Sequence, residues 1–383
     1  MTRSSSKRNR RHVSDDEGEE SAAGPSTSKR ARPSPDVSGA VELDPEGDAI
    51  FAFKNPDSAS DETIKFLVSS KVLSLASPVF CKMFSPQFQE GTRVRNGERP
   101  CIDLEEDDPT AMNVILRILH FQSDDISFDL SRAEFASIAV HSDKYDCRRA
   151  LRGWVRGWWH ANEFDAMFDL TSEEVGLTLL AAYMFRFTSL PRLAADAAKH
   201  LKPDFLGKWQ EHETISLLPE TLKVAVHTWL ADGVDYVQGR LQAIEGSLLR
   251  PGKGYLVPFS WECLHCGKLF EYGDGPADMK CSCGRTVVER YCTTQSRVCD
   301  YLNILRLVGL HHSFQPFKTL SILQIAIFVK EISGYRHTHI CQGKERCPLV
   351  VQLRDLCLEV DHRLDLMNVE RFECVGLGSK VTT

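Results

Sequence analysis

Phe66-Leu67-Val68-Ser69-Ser70-Lys71-Val72-Leu73-Ser74-Leu75-Ala76-Ser77-Pro78-Val79-Phe80-Cys81-Lys82-Met83-Phe84 is the stretch around which the chain is organised. It begins as a short strand. After Ser69-Ser70 the apolar residues fall at Val72, Leu73 and Leu75, then at Val79, Phe80, Met83 and Phe84. The change from period 2 toward period 3.6 predicts a strand feeding two short helices. Ser77 is placed to cap the second helix, and Pro78 sits at its first position, where a missing N–H costs nothing.

The chain has 383 residues, enough for two or three domains. With 42% hydrophobic and 26% charged residues, most of it reads as globular. The net charge of −7 gives no overall attraction to nucleic acid or anionic membrane. The most apolar stretch, 320–329, is shorter than the roughly 20 residues a membrane span needs. The serine-rich, basic N-terminus has no apolar segment of the secretory type, so the 13 cysteines read as thiols or metal ligands, not disulfides. The expected location is the nucleus, otherwise the cytoplasm.

Residues 1–44 carry almost no large apolar side chains and read as a disordered tail. Its charges are segregated into a basic block (Lys7, Arg8, Arg10, Arg11), an acidic block (15–20) and a second basic block (Lys29, Arg30, Arg32). Two compact basic clusters on a tether resemble a bipartite nuclear-import signal. Ser14 before three acids and Ser34 before Pro35 resemble kinase sites, where phosphate would weaken that basic character.

Strands are predicted at 48–53, 63–68 and 101–104, the first two joined through a polar turn at 55–61. Asp108-Pro109 opens a helix whose apolar face is Met112, Ile115, Leu116 and Leu119. Helices at 129–145 and 147–159 follow, the first carrying Phe135, Ile138 and Ala139. This order closely resembles the BTB (POZ) family over about 47–155. The residues that carry the resemblance are Asp48 opening the first strand, Phe66, the Val72-Leu73 pair, Ser77-Pro78-Val79-Phe80, Met83-Phe84, and Phe88 with Glu90. Ser69 stands where the family has histidine, and Phe121-Gln122-Ser123 where it has Tyr-Thr-Gly; such divergence resembles the BTB proteins numerous in fungi. The resemblance implies a protein-interaction domain that homo-oligomerises or recruits protein partners, a cullin among them.

Residues 159–250 read as a helical extension. Thr171 with Glu174 forms a capping box ahead of 175–187, and helices are predicted at 193–201, 217–229 and 234–249. A small bundle packed on the preceding domain is expected, with Trp154, Trp158 and Trp159 supplying core contact.

From 251 to 383 the composition becomes Cys-rich. Cys263-x-x-Cys266 and Cys281-x-Cys283 bracket a Gly/Asp-rich loop at 273–278. Two close thiolate pairs on either side of a turn suit one tetrahedral zinc, and Gly267 and Gly284 favour the tight turns that aim amides at the sulfurs. Cys292, Cys299, His339, Cys341 and Cys347 offer either a second site or alternative ligands for the first. Cys299, Cys357 and Cys374 read more simply as small buried hydrophobes. His311, His312 and His337 fit exposed or capping positions.

No His-x-Glu, His-Glu-x-x-His, phosphate loop or nucleophile elbow is present, so the zinc segment reads as structural and the protein as non-enzymatic. Lys268, Lys280, Arg285, Arg290 and Arg297 are balanced by Glu262, Glu271, Asp274, Asp278 and Glu289, and the helices at 321–332 and 349–366 are apolar-faced. Direct nucleic-acid contact is therefore not expected. The fold class expected is an α+β BTB domain at 45–158, a mainly α-helical region at 159–250 and a small zinc-bound α+β domain at 251–383. The function expected is an interaction adaptor or scaffold, in the nucleus or as substrate receptor of a cullin-type ubiquitin ligase. The alternative is a zinc-containing transcription regulator.

Overall fold

The computed structural model describes residues 39–54, 63–124, 126–270, 280–339 and 341–366. The import clusters, Ser14, Ser34, the 55–61 turn, the 273–278 loop, Glu271, Asp274, Asp278 and Cys374 lie outside them.

The N-terminal part carries a four-stranded sheet. Strand β1 (Val41–Glu42) runs parallel to β3 (Thr63–Val68), which is antiparallel to β2 (Ala49–Lys54). Helices α1 (Ser70–Ala76), α2 (Pro78–Met83) and α3 (Gln89–Arg95) come between β3 and β4 (Cys101–Asp103), and β4 pairs parallel with β2. Alternation along β2 puts Ala49, Phe51 and Phe53 on the core face, where they meet Phe66 and Val68 of β3. The period change after Val68 produces the expected helical pair. Ser77 accepts from the Phe80 amide at 3.0 Å, with Pro78 at the first turn. Phe80 is fully buried; its ring lies 5.6 Å from Phe51 and stacks 4.5 Å from Tyr145, so one side chain ties the hairpin to the sheet and to the helix beyond.

The N-terminus of α1 is capped from a distance. Ser69 makes no side-chain cap; instead Asp48, just before β2, accepts from the Ser70 amide and hydroxyl, both at 2.7 Å. The Ser69 amide donates to His120 Nε2 at 3.0 Å, and His120 Nδ1 lies 2.8 Å from the Leu116 carbonyl. Two residues far apart in sequence thus satisfy the amides a helix start leaves open.

Helix α4 (Pro109–Leu119) is capped by Asp108 and buries Met112, Ile115, Leu116 and Leu119. Helices α5 (Arg132–Lys144) and α6 (Arg148–Ala161) complete this part, with Phe135, Ile138 and Ala139 of α5 buried. The extension begins with α7 (Ser172–Met184), for which Thr171 and Glu174 form the expected capping box. It packs on α5, where Phe135 is ringed by Trp158, Trp159, Phe164 and Phe185. Helices α8 (Leu190–His200) and α9 (Phe205–Glu211) follow.

The tail expected over 1–44 does not extend that far, since Val41–Glu42 join the sheet as β1 and Leu43 is buried in the core, and two further expectations are corrected by the fold. The helices predicted at 217–229 and 234–249 are one, α10 (Glu220–Leu248). Gly233 does not break it, because Leu222, Val226, Leu230, Val234, Val237, Leu241, Ile244 and Leu248 form one buried stripe. Packing of that stripe outweighs the roughly 1 kcal/mol a mid-helix glycine costs. Nor does packing stop at residue 250. Beyond it lie β5 (Tyr255–Cys263), β6 (Leu269–Phe270) and β7 (Val287–Cys292), an antiparallel sheet in the order β6-β5-β7. Helices α11 (Thr294–Leu307), α12 (Pro316–Thr319), α13 (Ile322–Thr338) and α14 (Pro348–Leu366) follow. Helices α11, α13 and α14 all contact α10, and α13 also reaches α8, so these helices share the core of the extension. Arg240 of α10 pairs with Glu359 of α14 through two hydrogen bonds, at 2.5 and 3.0 Å, and Tyr301 of α11 donates to the Leu241 carbonyl at 2.9 Å. Among the described residues no helix is long and apolar enough to cross a membrane.

Two predictions follow from the α1 cap. Asp48→Ala removes both acceptors and is expected to lower stability by about 1–2 kcal/mol, read as a shift in the urea midpoint. Burial holds His120 below the ordinary histidine range. The unfolded chain therefore takes up a proton that the folded chain resists, and stability present above about pH 6.5 is lost as pH falls below it. Midpoints measured from pH 7.5 to 5 should show this loss in the wild type and a smaller one in His120→Gln, which keeps a donor and an acceptor without titrating.

Candidate metal centres

The first group is built by two tight turns at one end of the β5–β6–β7 sheet. Cys263 ends β5, and the chain reverses with the Gly267 amide donating to the Cys263 carbonyl at 2.8 Å and the Cys263 amide to the Lys268 carbonyl at 3.0 Å. The second turn repeats the plan: Gly284 donates to the Cys281 carbonyl and Cys281 to the Arg285 carbonyl, both at 2.8 Å. Gly267 and Gly284 both have φ in the left-handed region, +70° and +80°, which an L side chain would strain.

These turns aim amides at sulfur as anticipated. The Cys266 and His265 amides donate to Cys263, Lys268 to Cys266, Cys283 to Cys281 and Arg285 to Cys283. The sulfurs of Cys263 and Cys283 are 3.4 Å apart and those of Cys266 and Cys281 3.3 Å; all four ligand atoms lie within 4.8 Å of one another. The edge of a zinc–thiolate tetrahedron is about 3.8 Å for bonds near 2.3 Å, so the set has the dimensions of one tetrahedral site. The Cys283 amide brings the Cys281 thiol down to about 6. Cys283, although the Arg285 amide donates to it, is pushed up to about 12, chiefly by the neighbouring Cys263 and also by Cys281. Four sulfurs this close cannot all ionise against one another unless a cation offsets the charge.

The second group joins residues from three elements. Cys292 ends β7, His339 follows α13, and Cys341 and Cys347 lie in the loop leading to α14. His339 Nε2 is 3.5 Å from the Cys292 sulfur and 3.4 Å from that of Cys347, and the two sulfurs are 3.7 Å apart. With Cys341, the four ligand atoms again fall within 4.8 Å. Cys292, Cys341 and Cys347 are buried in the main core, unlike the first group, whose own cluster holds only Cys263, Cys281 and Val287 with Trp261 and Phe270 alongside. The hydrogen bond from Cys292, aided by His339, brings Cys347 down to about 3, whereas Cys347 pushes Cys292 up. Asp300, then Cys347, raises His339 to about 10.

The five further candidates from sequence thus separate. Four come together as a group of their own. Cys299 does not: it is exposed on α11, outside both groups, and is neither a ligand nor the buried hydrophobe expected. Cys357, half-buried, donates to the Val329 carbonyl. His311 caps a short turn, accepting from the Ser313 amide. Asp300, whose carboxylate is 3.2 Å from His339 Nδ1, escaped sequence reading, and Arg297, read there only as one of the balanced charges near the cysteines, donates from Nε to the Cys292 sulfur at 3.3 Å. Both lie on α11 three residues apart, one helical face, but nothing local links them to His339.

No protein-family model, curated protein or solved structure matches this chain.

The small size of its apolar cluster makes the first group dependent on its ligands. Cys266→Ser in the full chain is expected to abolish metal binding there and to red-shift Trp261 emission. Amide exchange should rise over 263–270 and 281–287 while β2 and β3 stay protected, as read by hydrogen-exchange mass spectrometry.

Proposed function

We propose that the chain is a non-enzymatic protein-interaction adaptor whose N-terminal part is a BTB-type domain. The observation that carries this reading is the element order from β2 to α6. A strand pair feeds a helical hairpin locked onto the sheet by Phe80, a short parallel edge strand follows, and three helices close the unit. That order agrees with the residues that carry the resemblance, since Asp48, Ser77 and Phe80 each perform a distinct structural task.

A cleft of about 920 Å³ beside the hairpin supports a recruiting role. Its lining combines aliphatic Leu75, Ala76 and Pro78 with charged Asp143, Asp146, Arg148, Arg149 and Arg186. Leu75 is 82% exposed, a large apolar side chain with no packing duty in the chain itself. A lining that mixes aliphatic and charged side chains suits a protein partner, for which a cullin or a second copy of the chain is the first candidate. The basic clusters at Lys7–Arg11 and Lys29–Arg32 direct the adaptor to the nucleus.

In this reading Cys263, Cys266, Cys281 and Cys283 hold a structural zinc. Four protein ligands fill a tetrahedral ion and leave no position for substrate. The zinc-stabilised hairpin carries the second binding surface of the adaptor.

Light scattering on the purified chain at micromolar concentration, with and without a cullin N-terminal region, tests the proposal. A homodimer or a cullin complex is expected, and Leu75→Glu should weaken cullin capture at least tenfold without lowering the urea midpoint. A chain that stays monomeric and captures no cullin would refute the adaptor reading.

A further inference from the structure

Arg297 is 1% exposed, yet among the described residues no carboxylate lies within ion-pair reach of it. Its guanidinium donates to the carbonyls of Lys253 and Cys292, lies 5.6 Å over the Tyr255 ring, and places Nε 3.3 Å from the Cys292 sulfur. A guanidinium is cationic, and burying it without a counter-charge is strongly unfavourable. The nearest acidic group is the cysteine set itself.

We infer that Cys292, His339, Cys341 and Cys347 form a second, closed zinc centre, with Arg297 as its charge partner and Asp300 as the residue that positions His339. This goes beyond the adaptor reading and does not rest on it. Three thiolates around a divalent ion leave one negative charge, which the buried Arg297 offsets. Asp300, 3.2 Å from Nδ1, accepts that N–H and leaves Nε2 with its lone pair toward the sulfurs, the tautomer a metal requires. Thiolate and imidazole donors favour zinc over the hard cations magnesium and calcium. Burial of all three sulfurs, with His339 only 9% exposed at its side chain, excludes a solvent ligand, so the ion is structural. The centre fastens the end of β7, the end of α13 and the start of α14 to one point. The two groups then differ in consequence: one stabilises an outlying hairpin, the other holds the shared helical core.

Metal counting on the full chain tests this. Wild type purified without chelator is expected to carry two zinc ions. Cys266→Ser/Cys283→Ser, altering two exposed residues of the outlying group, should carry one. Cobalt replacing that one should give the absorption of a three-thiolate, one-imidazole site. Asp300→Asn is expected to weaken its metal by about 10- to 100-fold in chelator competition, with Asp300→Glu restoring part of the loss. One zinc in both proteins would keep this centre and discard the outlying one. A folded double variant without metal, or a thiol count showing Cys292 and Cys347 joined as a disulfide, would overturn the inference. If the double variant does not fold, wild type decides: a single ion with a four-thiolate cobalt spectrum overturns the centre, and two ions support it.

Discussion

Helix α10 has to be covered along its whole length, and the middle of the molecule is arranged to do it. Its 29 residues carry a buried stripe from Leu222 to Leu248 that no single neighbour can cover. A fully buried aliphatic side chain is worth roughly 1.5–3 kcal/mol. Helix α8 takes part of that surface, and α11, α12, α13 and α14, which come after the cysteine-rich sheet, take more of it. This explains why a change in composition at residue 250 is not a boundary in packing. The apolar faces of α13 and α14, with Val329, Ile332, Leu353 and Leu356 buried, belong to that shared core.

The same dependence bears on the ends of those covering helices. Asp300 and Arg297 on α11 reach His339 and Cys292, and Cys347 immediately precedes α14, so the ends of three covering elements meet within a few ångströms. Interior side chains there are polar and charged in a region otherwise filled by aliphatics. Such a cluster is tolerated only where every charge has a partner.

What could be read from the sequence was what neighbours in sequence decide. The caps at Ser77, Asp108 and Thr171 with Glu174 were legible because a cap and its amide are two or three residues apart. So was the hairpin, from its change of period. The capping of α1 by Asp48 and the hydrogen bond from Ser69 to His120 were not, since the partners are 22 and 51 residues apart. The break expected near Gly233 failed for a related reason. A glycine's preference is local and small, while the stripe it belongs to is buried by α8 before it and by helices beyond residue 290.

The two cysteine groups show the same division. In the first, Cys263 with Cys266 and Cys281 with Cys283 each sit in one turn closed by a glycine, so spacing alone announces the chemistry. The single-residue spacing of the second pair still serves, because the Cys283 amide reaches back to the Cys281 sulfur just as Cys266 reaches Cys263. In the second group, Cys292 is 47 residues from His339, and only the packing of α11 and α13 brings them together. Cys299 shows why spacing cannot decide there. It is nearer to Cys292 in sequence than any true member of the group, yet it faces solvent from α11, while its neighbour Asp300 faces the histidine. One step along a helix turns a side chain by about 100°, so adjacent residues can differ completely in role. Only the face that α11 presents to the core separates them.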